Sequence, residues 1–252
     1  MVVAVIGTLA GLLLPALGRG RLKSEGIQCM NNLRQLGLAW HSYAQDSRDF
    51  LVPNNGDALP DTWVGGWLTT NANHADNTNL TLLLGGRLGP YMPAPRVFRC
   101  PGDRSVARFD ERVLPRVRSV AMNGWVGSTS DRHHQALMSM GAADHRILMN
   151  LGDFLDPAPS GTWVLLDERE ETIEDGWFGV AMHIEAWRGS WPAGHHHRAG
   201  GFHFADGHSE IHRWLDPRTL PPVSPGASWE DNYFQPGSPD IRWLRQRTTG
   251  RK

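Results

Sequence analysis

The sequence predicts an α+β fold: one long N-terminal helix packed on a mostly antiparallel β-sheet with long loops. Three observations carry this. Met1–Leu17 contains no charged side chain, and an amphipathic stripe follows it as far as Gln45. Gly161-Thr162-Trp163-Val164-Leu165-Leu166 is an apolar run of strand type. Asp206-Gly207 sits between two alternating segments, the signature of a hairpin.

The opening stretch is closed by Arg19, Arg21 and Lys23. As a helix its seventeen residues span roughly 25 Å, a little less than the ~30 Å hydrocarbon core of a bilayer. It reads as a membrane anchor, against a signal peptide without a basic n-region or a buried core helix. Pro15 is expected to kink it. From Arg19 to Gln45, Leu22, Gly26, Cys29, Met30, Leu33, Leu36, Gly37, Trp40, Tyr43 and Ala44 recur at i, i+3/i+4 spacing, with Lys23, Glu25, Gln28, Asn32, Arg34, Gln35 and Ser42 opposite. The helix is expected to end between Asp46 and Asp49. The chain therefore divides into a helix, residues 1–47, and a globular body, residues 48–252.

Hydrophobic content of 40% and charged content of 20% describe a folded body rather than a disordered chain. A formal net charge of −1 gives no electrostatic footprint for nucleic acid. Cys29 and Cys100 fit neither zinc-knuckle nor CxxC spacing. They form one disulfide behind an exported anchor, or stay as two thiols in a reducing compartment.

Within the body, Thr62–Leu68 is a short aromatic strand-like run, and Asn79–Gly86 a helical turn ending at paired glycines. Residues 126–150 show no period. The strand run at 161–166 leads into Asp167-Glu168, and carboxylates at a strand end can hold a hard cation; the rival reading is a solvated acidic loop. In the hairpin, a two-residue Asp206-Gly207 turn pairs Ala205 with His208. Phe202 then opposes Ile211, and His203 opposes Glu210. That register puts His203, His208, Glu210 and His212 on one face, which invites zinc but reads first as a solvated surface.

Several of these stretches resemble one family. VVAVIGTLAGLLLPAL followed by Cys29–Ala39 resembles the N-terminal helix of type IV pilin-like proteins. His196, nine residues and Asp206-Gly207 match the element of the pseudopilin-like group with H-x9-DG. Cys100-Pro101-Gly102-Asp103, Arg118–Asn123, the Asp167-Glu168 strand end and Asp240-Ile241-Arg242-Trp243-Leu244 resemble further markers of that group. The family begins with a basic leader and a Gly-Phe-Thr-Leu-Ile-Glu processing site. This sequence begins just past that point, so processing by a prepilin peptidase would require upstream residues.

The resemblance implies a pilin-like body facing the periplasm and a single-pass inner-membrane helix, although positive residues at 19–23 alone would keep that side cytoplasmic. It implies a structural, non-enzymatic subunit of a type II secretion or type IV pilus-like filament. Its partners would be other pilin-like subunits, an inner-membrane assembly platform and membrane lipid, with no nucleic acid. Gly7 and Gly11, with Pro15, would shape helix packing in that filament. Calcium is the implied cofactor, at Asp167, Glu168 and Asp175. A Cys29–Cys100 disulfide would staple body to helix, worth ~4 kcal/mol in the chain-entropy model for a loop of about seventy residues. Two alternatives stand beside it. One is a metal-dependent hydrolase using Asp167, Glu168, His196, Asp206 and His208. The other is a surface-binding module using Trp63 and Trp67.

Overall fold

The computed structural model describes residues 2–56, 59–70, 73–92, 94–222 and 232–252, with side chains at all of these except 2–19, 22, 109 and 232. Helix α1 runs Val2–Asp46. A short α2, Leu80–Leu84, is N-capped by the Asn79 side chain, as the sequence suggests. Strands β1 (Val106–Phe109) and β2 (Arg112–Pro115) form an antiparallel ribbon. Strand β3, Val120–Asn123, then precedes α3, Asp131–Met140. β4 (Trp163–Asp167), β5 (Trp177–Phe178), β6 (Ala186–Arg188), β7 (Ala199–Phe204) and β8 (Ser209–Arg213) follow. β9 (Asn232–Phe234) pairs with β6, and α4, Pro239–Arg245, lies near the C-terminal end.

The central sheet has the order β5-β3-β4-β7-β8. Its pairs are antiparallel except β3–β5, which is parallel. The α+β class, the N-terminal helix and the mostly antiparallel sheet match the expectation. The pilin-like anchor arrangement does not: the sheet is mixed, and among the described residues no helix is long and apolar enough to cross a membrane. From Arg19 onward the helix carries Arg21, Lys23, Glu25 and Arg34, and its apolar stripe is buried against the sheet. This finding overturns the expected single-pass inner-membrane localisation. Gly7, Gly11 and Pro15 lie where side chains are outside the described residues.

The sheet is covered on both faces. On one face α1 lies against Val120, Met122, Val164 and Leu165 through Cys29, Leu33, Leu36, Trp40 and Ala44, all buried. On the other, Ala121, Trp163, Leu166, Phe202 and Phe204 pack with Trp125, Leu137, Trp187, Trp191, Trp214, Ile241 and Leu244. Val164 and Leu165 face the same side because the β4–β7 register shifts between Trp163 and Leu165, a bulge that turns the rest of the strand over. The helical stripe thus comes out as the periodicity requires. Asn32 departs from it: placed on the polar face by the sequence, it is buried and donates to the Arg99 carbonyl at 2.9 Å. The boundary at residue 47 coincides with the end of α1, but its Gly26–Ala44 half belongs to the core of the body.

The C-terminal Asp240–Leu244 segment docks as expected, as helix α4. Its buried Asp240 carboxylate accepts from the backbone N–H groups of Leu215 and Asp216 and from the Thr219 hydroxyl. The run at 62–68 forms bends rather than a strand.

Candidate functional site

Helix α1 lies along β7, and the His196–Gly207 element is the strip of sheet beneath it. Gly26 faces the His196 ring, with space for a Cβ 3.7 Å from Nδ1. Cys29 and Leu33 close over Gly201, where a Cβ would come within 2.8 Å of the Cys29 Sγ and 2.7 Å of Leu33. Gly37 sits directly on His203, and His41 reaches the Ala205 backbone near Asp206. The nine-residue spacing is therefore β7 with its entry and exit. His196 stands before the strand and Asp206-Gly207 after it, roughly 20 Å apart along six extended residues. They are two ends of one support, and they do not share a site.

At the His196 end four side chains from four parts of the chain converge. Cys29 comes from α1, Cys100 from the turn after Phe98, Asp167 from the end of β4, and His196 from the loop before β7. Their sulfur, oxygen and nitrogen atoms all lie within 4.8 Å of one another. The Cys29 thiol donates to Asp167 Oδ2 at 2.7 Å, and Cys100 Sγ is 3.2 Å from His196 Nε2. Asp167 Oδ2 is 3.9 Å from the same Nε2. Backbone N–H groups of Gly102 and Gly201 donate to Cys100 Sγ and Asp167 Oδ2, both at 3.3 Å. The two cysteines and Asp167 are each 1% exposed and His196 8%, so the cluster is sealed.

Each member is positioned locally. Cys100 is held by its N–H on the Ser119 hydroxyl, Asp167 by its carbonyl on the Ala193 N–H, and His196 by its N–H on the Ala199 carbonyl. Every shift favours the neutral form. Contact with the Cys100 thiol, then burial, pushes the Cys29 thiol well up. The Cys29 contact pulls Cys100 down, but burial and Asp167 outweigh it and leave Cys100 raised. Burial raises Asp167 against the pull of His195 and the Cys29 thiol. Burial lowers His196 against the pull of Asp167.

The arrangement differs from a nucleophilic triad. There the base uses one ring nitrogen for the nucleophile and the other for the orienting carboxylate. Here Cys100 and Asp167 both face Nε2, while His196 Nδ1 and Asp167 Oδ1 have no hydrogen-bond partner among the described residues. Four donors aim at a common centre.

The expected sites rearrange accordingly. The two cysteines meet, but as free thiols inside a four-residue cluster rather than as the disulfide pair the resemblance implied. The calcium set does not assemble. Asp167 and Glu168 are adjacent on a strand and point to opposite sides. Glu168 accepts from the Thr172 hydroxyl at 3.1 Å, and its carboxyl is raised well above the ordinary value by burial and by nearby Asp175. Asp175 caps the Trp177 N–H at 2.8 Å. Calcium needs six to eight converging oxygens, and these residues do not provide them. The hydrolase set is likewise split: Asp167 and His196 at one end of β7, Asp206 and His208 at the other. Trp63 is fully buried and donates to the Gly176 carbonyl, whereas Trp67 lies under the Arg132 guanidinium.

The His-rich face also dissolves. The observed register is Phe202 with Glu210 and His203 with Ser209, one residue off the expected one. The turn has three residues, closed by the Phe204 N–H on the His208 carbonyl, with Gly207 at φ +97°. One residue of slip moves every β8 side chain to the other face relative to β7. His208 therefore stacks on Phe204 and His212 on Trp243, while His203 faces the helix and contacts the Ser209 hydroxyl.

Sequence reasoning singled out all four cluster members but missed their convergence, and it missed Gly201. The available signal was Gly26-x2-Cys29 on the buried stripe together with an apolar strand ending in Asp167. No protein-family model, no curated protein and no solved structure matches this chain.

Proposed function

We propose that this chain is a non-catalytic structural subunit: a body fixed rigidly on a long helix, whose apolar N-terminal end associates with other subunits of its kind. The observation that supports this best is the seat of α1 on β7. The helix is a structural member of the core from Gly26 to Ala44, and the same helix continues back through the charged Arg19–Glu25 turn into the uncharged run that reaches Val2. The resemblance of both chain ends to pilin-like subunits agrees with this role. The burial of the cluster agrees as well, because its four side chains are almost wholly removed from the surface.

Sedimentation velocity of the full chain and a Gly11→Leu variant tests the proposal. The wild type is expected to form discrete oligomers. The variant, with its helix–helix approach blocked, should associate about tenfold more weakly while the body unfolds at the same denaturant concentration. A wild type that stays monomeric at every concentration, or a variant that associates more strongly because it is more apolar, contradicts it.

A further inference from the structure

We infer that Cys29, Cys100, Asp167 and His196 form a structural zinc site that clamps helix α1 to the sheet. This goes beyond the assembly role above and does not depend on it.

The donor set is the first argument. Two sulfurs and an imidazole nitrogen suit a borderline-soft ion, and one carboxylate oxygen completes four ligands with no position left open. Tetrahedral zinc at ordinary bond lengths places its ligand atoms roughly 3.3–3.8 Å apart. The Cys100–His196 and His196–Asp167 separations of 3.2 and 3.9 Å lie at that scale. The 2.7 Å Cys29–Asp167 contact opens by about 1 Å when the thiol proton between the two is replaced by an ion.

The second argument is what the site lacks without a metal. Asp167 Oδ1 is buried with no hydrogen-bond partner among the described residues, whereas both oxygens of the equally buried Asp240 carboxylate accept hydrogen bonds. Four ionisable groups gathered in a dry pocket gain little from one another as neutral species. An ion that displaces both thiol protons converts them into one bonded unit, with the Gly102 and Gly201 N–H groups supporting the thiolate and the carboxylate. Gly201 serves the same end, since a Cβ there would lie 2.8 Å from Cys29 Sγ and 2.9 Å from Asp167 Oδ2.

The third argument is placement. Three ligands come from the body and one from α1, so the ion would tie the helix to the sheet at the N-terminal limit of their contact. The covalent alternative, a Cys29–Cys100 disulfide, would make the same tie but would leave Asp167 and His196 unexplained.

The test uses the full chain, purified under reducing conditions, loaded with zinc chloride and freed of loose metal on a chelating resin. Elemental analysis is expected to give about one zinc per chain, falling to about one-tenth of that in Cys29→Ser and Cys100→Ser. Because loss of a buried ligand can also prevent folding, cobalt replaces zinc in the wild type as a second readout. Tetrahedral ligand-field bands with thiolate-to-cobalt charge transfer are expected, and a weak octahedral spectrum overturns the site. The double variant His195→Ala/His197→Ala must keep its zinc; loss there would assign the metal to the His195–His197 run instead. A metal-free wild type after loading, or no titratable thiol in the chain unfolded without reductant, overturns the proposal.

Discussion

Gly37 of helix α1 lies directly on the imidazole of His203 in β7, and a Cβ at Gly37 would fall on the ring's Nε2. This fixes how closely helix and sheet approach. It also explains why a residue that weakens a helix interior stands in the middle of a 45-residue one. Gly37→Ala should therefore destabilise the protein by about 1–3 kcal/mol despite the better helix propensity of alanine, because the overpacking has no room to relax. Urea unfolding measures this. Adding His203→Ala to Gly37→Ala should recover part of the loss, and a strictly additive double variant would show that the two side chains are not in contact.

The same histidine makes stability depend on pH. Burial, reinforced by His41 and His208 and opposed by Asp206, holds His203 down at about 3 against an ordinary 6.5. Between those values the unfolded chain binds a proton that the folded chain refuses. Its contribution is thus complete above pH 6.5 and is lost at up to about 1.4 kcal/mol per pH unit as the pH falls toward 3. His212, lowered to about 4 by burial, adds to the slope from the other face of the sheet. Unfolding free energies between pH 6.5 and 4.5 should show this slope, and His203→Gln should reduce it by the equivalent of one proton. An unchanged slope in the variant would place the effect elsewhere.

How much of this could be read in advance differs from element to element. The buried stripe of α1 was legible because a period of 3.6 survives in one sequence. Cys29, Leu33, Leu36, Trp40 and Ala44 are all buried as it requires. The hairpin was legible as a hairpin but not in its register. Asp206-Gly207 suits a two-residue turn, and only the backbone shows that Ala205 joins it, which reverses every β8 face. Helix α3 was not recognised among residues 126–150, although its cap signals are present: Ser130 accepts from the His133 N–H and Gly141 ends the helix at φ +113°. The eleven tryptophans suggested a ligand surface, but among the described residues seven are core. Cys29, Cys100, Asp167 and His196 were each conspicuous alone. Their meeting depends on α1 crossing β4 and β7, a tertiary fact with no local trace.

The central claim, that the second half of α1 and β7 form one rigid unit, is tested most directly by native-state hydrogen exchange of the full chain. The amides of residues 29–44 and of Ala199–Phe204 should open with the same free energy, at the level of global unfolding. Helix amides that exchange through an opening about 2 kcal/mol or more below that of β7 would show a helix that detaches from its sheet, and would contradict the account.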